Sequence, residues 1–397
     1  MADLSREDLP PSDSPHLVLR HPTEEECTTI SINTSIEWKD SLSLAQYLKE
    51  GQWLATVPLA CDGGMTTWIL VHQDQAPGER RILCSCESFS KRSLKSDTSG
   101  AISENIVHGV ASVFSPSEYR GRGYAARMMR ELAKTMHTWQ AEGYPCVGST
   151  LYSDIGKEFY AKLGWLPNST NSHIELQPCA IAWPSPATPV IEEEIGDLCK
   201  RDEDLVRSRM AIPTREAKTR FTIIPDLDHM LWHMSKEVFA TKHLFDRIPN
   251  AKGAIAGPSG SQVWALWTHR YYSHPDASTS RNVLYILRLV VEVDETATRL
   301  SSDAAKLPEP AMYEQQAVYL RVVLQAAQAE AKEWKLDVVK LWDPTPLALD
   351  ILAQSGLDFE VVERKNDSIA SLLWYDADGG VSDERPLWLN NEHYAWQ

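Results

Sequence analysis

In Tyr119-Arg120-Gly121-Arg122-Gly123-Tyr124-Ala125-Ala126, two arginines alternate with two glycines. The stretch follows an apolar, strand-like run, Ile106 to Phe114, and opens a helix-like one, Tyr124 to Trp139. Glycine lets the backbone curl tightly and come close to a ligand. The first N–H groups of a helix are unpaired and carry partial positive charge, so they hold phosphate. Arg120 and Arg122 add permanent charge and forked donors. Strand, Gly/Arg turn and helix together read as a pyrophosphate cradle. The spacing Arg-x-x-Gly-x-Ala is neither Gly-x-x-x-x-Gly-Lys nor Gly-x-Gly-x-x-Gly, the nucleotide-binding loops.

Other residues stand out by type and place. Glu87 sits in a strand-like Cys84-Ser85-Cys86-Glu87-Ser88 run where a charge is out of place. His108 lies on the strand before the cradle, and a period of two puts it on one face with Val110, Ser112 and Phe114. His173 and Glu175 share a later strand. Each histidine also fits a core position and Glu87 a strand surface, so the base of any reaction here stays open. Arg288 interrupts the apolar strand Val283 to Val291. A charge in such a place is paired or functional, in an ion pair or on a substrate carboxylate. Seven scattered cysteines match neither a zinc spacing nor Cys-x-x-Cys, and no cysteine–histidine nucleophile is apparent. They read as reduced thiols and call for no metal.

These residues need elements to position them. The first part reads as strand Leu17–Arg20, helix Thr23–Asn33 capped by Thr23, helix Leu42–Glu50, and strands Thr67–His72, Arg81–Phe89 and Ile106–Phe114. After the cradle come the helix with Ala125, Met129, Leu132 and Met136 on one face, strand Cys146–Leu151, helix Ser153–Leu163 and strand His173–Leu176. Pro178 to Pro189 holds four prolines and reads as an interdomain linker. Beyond it, strand Asn282–Val293, a helix from Tyr313 to Trp334, strand Val338–Leu341, a helix capped by Thr345, and strands Phe359–Glu363 and Ala370–Tyr375 repeat the later part of the order. Leu307-Pro308-Glu309-Pro310 stands where a second cradle would be; it has no glycine and an acidic side chain, so it should repel a pyrophosphate. The division is a disordered tail at 1–15, a domain at 16–177, a linker at 178–190 and a second domain at 191–397. Trp388, Tyr394 and Trp396 should dock on the body.

A length of 397 residues suggests two cores. A net charge of −16 argues against non-specific nucleic-acid binding. No apolar run approaches the roughly 18–20 residues that span a membrane. A soluble cytoplasmic protein is expected.

The cradle resembles the coenzyme A loop of the GNAT acetyltransferases, Arg/Gln-x-x-Gly-x-Gly/Ala. Ser153-Asp154-Ile155-Gly156-Lys157-Glu158-Phe159-Tyr160-Ala161-Lys162-Leu163-Gly164-Trp165 resembles their second coenzyme motif, with Ser153 in the Asn position and Gly156 in the Ala position. The wording of Leu151 to Lys157, Trp68 to Val71, the Cys86-Glu87 strand, Ala111 to Phe114 and Tyr119 to Ala126, and the aromatic end from Asn390 to Trp396, look like the fungal lysine N6-acetyltransferase family of lysine catabolism. The resemblance implies a tandem GNAT fold of α/β (α+β) class: two mixed, mostly antiparallel twisted sheets flanked by helices, the second without coenzyme. It implies transfer of acetyl from acetyl-CoA to the side-chain amine of free L-lysine by direct attack in a ternary complex. Coenzyme contacts would come from Ser112, Val113, Phe114, Arg120 to Ala126, Ser153, Gly156 and Phe159. Tyr160 matches the position of the acid at the sulfur, and Val113 that of the N–H on the acetyl carbonyl. The base stays open between Glu87, His108 and a remote group acting through water. Trp38, Asp40 and Arg288 are the candidates for the acceptor. Another small amine such as a polyamine, a protein lysine, and a coenzyme-binding regulator without catalysis are the competing readings. The oligomeric state is open.

Overall fold

The computed structural model describes residues 9–292 and 313–397. The Leu307–Pro310 segment lies outside the described residues. In chain order the first half is β1 (Leu17–Arg20), α1 (Glu24–Trp38), α2 (Leu44–Leu54), β2 (Met65–His72), β3 (Cys84–Asp97), β4 (Ile102–Phe114), α3 (Tyr124–Met136), β5 (Cys146–Ser153), α4 (Glu158–Ala161), β6 (Leu166–Pro167) and β7 (Ser172–Leu176). The second half is β8 (Thr188–Val190), α5 (Glu192–Met210), β9 (Thr219–Ile223), α6 (Leu227–Phe245), β10 (Gly253–Ala256), β11 (Val263–Arg270), β12 (Val283–Val291), α7 (Glu314–Glu333), β13 (Val338–Trp342), α8 (Pro346–Gln354), β14 (Glu360–Glu363), β15 (Ile369–Trp374) and β16 (Leu387–Trp388).

Local chemistry explains several starts and stops. Thr23 and Glu26 close a capping box on α1, and Ser43 and Gln46 close one on α2. Glu26 also takes both ends of the Arg80 guanidinium at 2.8 Å, which holds its carboxyl down to about 2 and ties α1 to the β2–β3 loop. Thr345 caps α8, with Pro346 at its first position. Helix α3 buries Tyr124, Met128, Met129, Leu132 and Met136 on one face.

The strands form two mostly antiparallel sheets flanked by helices. The first runs β1-β2-β3-β4-β5-β15-β6, with β9 on β3 and β16 on β9; the second runs β14-β7-β13-β12-β11-β10-β8. Parallel pairs are few among the antiparallel ones: β4 with β5 and β16 with β9 in the first sheet, and β12 with β13 in the second. The halves exchange a strand. β7, from the first half, lies between β13 and β14, while β15, from the second, lies between β5 and β6. Val107 and Val147 of the first sheet share a core with Trp264 and Leu287 of the second. The halves cannot part without breaking ladders on both sides of two strands.

This arrangement corrects the division read from the sequence. A cut between 177 and 191 separates chain segments but not sheets. The proline-rich stretch is not all linker, because Pro189 lies in β8. β8 is an edge strand, where a missing N–H faces no ladder partner. Residues 9–15 of the expected disordered tail are held on α3. The Tyr124 hydroxyl donates to the Pro10 carbonyl at 2.5 Å, and the Arg127 guanidinium to those of Ser12 and Ser14 at 3.3 Å. The helix expected over 153–163 is confined to α4, because Ser153 closes a turn instead. The aromatic C-terminal segment docks as expected: Trp388 and Tyr394 are buried, and the Tyr394 hydroxyl donates to the Ile223 carbonyl at 2.6 Å.

Candidate active site

The site lies where β4 and β5 part. They pair in register only from Ile106 to Val110 on β4. β4 then runs on to Phe114, while Ser153 of β5 still pairs with Ile369 of β15. The edge of β4 from Ala111 to Phe114 is left open on that side. A bulge helps to turn it. Opposite Ser85 and Glu87 of β3 stand Phe114 and Ala111, so three steps on β4 face two on β3. The extra residue is accommodated at Ser112, whose backbone is left-handed (φ 55).

A cleft of about 610 Å³ opens there, walled by both halves. The first half contributes Trp38, Tyr47, Glu50, Glu87, Ser112, Val113, Phe114 and Tyr160; the second contributes Trp232, Lys236, Arg270 and Trp396. Glu87 is open only toward this cleft. Burial pushes its carboxyl above the ordinary range, against the opposing effects of the Ser112 hydroxyl, which donates to Oε2 at 2.8 Å, and of the Lys236 charge. Lys236 itself pairs with Glu50 at 2.7 Å. Tyr160 is held by the short helix α4, with Phe159 edge-on to it at 5.0 Å. Burial raises its phenol well above the usual value, helped by Cys84, Cys86 and Asp154 nearby. A phenol so placed stays protonated and keeps an O–H to donate.

The cradle has the shape that an anion requires. Gly121 (φ 77) and Gly123 (φ 85) are left-handed, and a Cβ at Gly121 would meet nothing within 4 Å. Gly123 caps α3 without a side-chain hydrogen bond to the first turn, the Ser12 side chain lies against it, and the small Ala125 and Ala126 follow. Free helix amides beside open glycine backbone fit a pyrophosphate. Arg120 reaches back along the cleft: its Nε donates to the Ser115 carbonyl at 3.0 Å and its guanidinium lies 5.3 Å from the Phe114 ring centre. The Tyr124 side chain is buried and committed to Pro10, which leaves its backbone N–H for a ligand. Ser153 accepts from the Ile155 N–H at 3.2 Å and donates to the Gly156 carbonyl at 2.7 Å. With the Gly156 N–H on Asn366, this turn delivers α4, and so Tyr160, to the cleft.

Other expected residues fall elsewhere. His108 does not line the cleft. Its Nε2 faces the Trp139 carbonyl at 2.9 Å, and burial lowers it to about 4. The period-two reading carried it along with Ser112, but the bulge breaks that phase. Arg288 is a structural cation. It grips both oxygens of Asp202 at 2.7 and 2.9 Å and bonds Glu392 and Asn390 of the C-terminal segment. His173 and Glu175 pair with each other at 2.8 Å in the second sheet, because β7 is exchanged. Trp38 does wall the cleft, edge-on to Phe114 at 6.0 Å. Asp40 stands behind the wall, 2.6 Å from Arg270. Sequence reasoning missed Glu50, Trp232, Lys236 and Arg270. Nothing in the local pattern of α2, α6 or β11 marks them; the chain path brings them together.

Fold and site together are those of an acyltransferase of the GNAT type. Residues 173–397 match the family described as the LYC1 GNAT-like C-terminal domain, and the chain belongs to that family. A 277-residue stretch is 26% identical to a protein named lysine acetyltransferase from Yarrowia lipolytica, covering 59% of this chain and 68% of that one. Among solved structures, N-myristoyltransferase of Saccharomyces cerevisiae with bound myristoyl-CoA shares the fold at a TM-score of 0.52, with 8% identity over 96% of this chain and 87% of that one. A GCN5-related N-acetyltransferase from Kribbella flavida aligns at a TM-score of 0.48 and 14% identity over 91% and 73%.

Proposed function

We propose that this protein transfers acetyl from acetyl-CoA to the side-chain amine of free L-lysine, by direct attack in a ternary complex. The observation that carries the chemistry is one cleft with a carboxylate poised to take a proton, Glu87, and a phenol fixed as a donor, Tyr160. The likeness to a lysine acetyltransferase supplies the acceptor. The first sheet binds the coenzyme, and the second half covers the acceptor end. No helix among the described residues is long and apolar enough to cross a membrane. A cytoplasmic enzyme is the setting we favour.

The coenzyme would be held by the amides of Gly121 to Ala126, the charges of Arg120 and Arg122, and the open edge of β4. Bound there, acetyl-CoA supplies an acyl carbon activated by a thiolate leaving group. An ammonium with a pKa near 10.4 must first lose a proton, and Glu87 accepts it, directly or through one water. The Val113 N–H donates to the acetyl oxygen as the amine nitrogen attacks. Tyr160 gives its proton to the sulfur as the C–S bond breaks and the C–N bond stands. The second ammonium proton then replaces the one that Tyr160 gave up. Trp38 packs beside Phe114, which narrows the approach to that carbon.

Tyr160→Phe tests the acid. Its kcat should fall by roughly 100-fold, the low end of proton-transfer contributions, with the KM for acetyl-CoA unchanged. Full activity at every pH would remove Tyr160 from this role. A panel of amines tests the acceptor: turnover of a polyamine or a peptide lysine beside none of free lysine would replace it.

A further inference from the structure

Arg270 is the last residue of β11, a strand of the second sheet, yet its side chain walls the cleft of the first. It is 13% exposed. Three groups fix it. The Asp40 carboxylate lies 2.6 Å from Nη2, and the rings of Tyr272 and Trp396 lie 5.1 and 5.5 Å from the guanidinium carbon. Asp40 is itself held in the left-handed turn after α1 (φ 50), which the Ser41 N–H ties to the Tyr271 carbonyl at 3.3 Å. A guanidinium carries five donors, and one carboxylate at one edge leaves most of them unused. Among the described residues, the Arg270 Nε is buried without a hydrogen-bond partner.

The other charges along the cleft wall are mostly matched. Lys236 closes on Glu50 at 2.7 Å, and Arg120 on Glu37 at 3.2 Å nearer the cradle. Glu87 is committed to the amine. A desolvated guanidinium with open donors, held beside two aromatic rings, is built for a planar anion with two oxygens.

We infer that Arg270 binds the α-carboxylate of the acceptor and so selects an amino acid over the diamine of the same length. This rests on the acceptor proposed above. The alternative is that Arg270 serves Asp40 alone, as a clasp for the α1–α2 turn.

The test compares lysine, lysinamide and cadaverine (1,5-diaminopentane) on the full chain, with coenzyme A release as the readout. The wild-type protein should favour lysine over both by roughly 100-fold in kcat/KM, as expected for removing one partner of a desolvated charge pair. Arg270→Gln should raise the lysine KM by roughly 100-fold with kcat within a few-fold. It should leave cadaverine turnover and the KM for acetyl-CoA unchanged, and Arg270→Lys should recover part of the loss. Calorimetry on the coenzyme A complex should show lysine binding lost in Arg270→Gln. Equal use of lysine and lysinamide by the wild-type protein would overturn the inference, whether or not the variant folds. An equal loss on lysine and cadaverine would make Arg270 a clasp and overturn it too. No lysine turnover by the wild-type protein would instead sink the acceptor itself.

Discussion

The burial that suits Glu87 to the role proposed for it comes at a cost to the fold. Its carboxyl titrates above the ordinary range because it is buried, so the folded state binds a proton that the unfolded chain has already released. Stability contributed by such a group falls as pH rises from the ordinary carboxylate value through the raised one. Glu87→Gln cannot ionise and escapes that loss. The thermal midpoint at pH 7 should therefore rise, while kcat/KM falls by roughly 10²–10⁴ and acetyl-CoA affinity is kept. A lower midpoint would mean that the carboxylate holds structure. The rising limb of kcat/KM against pH should lie above the ordinary carboxylate value. Ser112→Ala should move that limb to still higher pH, because the serine hydroxyl favours the charged form.

The elements that matter are a bulge and a turn. The bulge in β4 gives Ser112 to Glu87 and leaves a free strand edge for the ligand. The turn before α3 depends on glycine, because Gly123 is left-handed and a Cβ there would come within 2.8 Å of the Ser12 hydroxyl. Gly123→Glu adds both strain and a like charge at a helix N-terminus meant for phosphate. Coenzyme A binding measured by calorimetry should disappear, and unchanged affinity would refute the cradle. Helix α4 is one turn long and relies on the Ser153–Gly156 turn to aim Tyr160.

The molecule is stitched together by charge as well as by exchanged strands. Arg288 joins β12 to α5 through Asp202 and to the C-terminal segment through Glu392, all buried. Arg288→Met strands two carboxylates and should cost roughly 3–5 kcal/mol in denaturant unfolding. Because that segment carries Trp396 to the cleft, the KM for the amine should rise more than that for acetyl-CoA. A second buried network joins Glu237 to Lys252 and to His269, each at 2.5 Å. Burial opposes the His269 charge, but Glu237 and Glu330 outweigh it and raise it to about 9. A raised histidine stabilises fully below its unfolded value near 6.5 and loses that stability as pH rises through about 9. The denaturant midpoint should fall across this window, and a His269→Gln protein should lack that fall.

The sequence by itself determined what neighbouring residues decide. Gly121 and Gly123 make a tight left-handed turn beside Arg120 and Arg122 because φ is a local property. Thr23 and Thr345 start helices because caps reach only three residues, and Tyr160 follows its motif at fixed spacing. The tertiary structure decided what depends on distant partners. Short strands such as β7 and β15 carry no mark of which sheet they complete, so the exchange between halves is not legible in either. Arg288 and Arg270 look alike as cations at or in apolar strands. One is met by Asp202 and Glu392 together, while the other has Asp40 at one edge and, among the described residues, an unpartnered Nε. Whether a buried charge is satisfied is a property of the residues that fold around it, and this divides a structural arginine from one free to take a ligand.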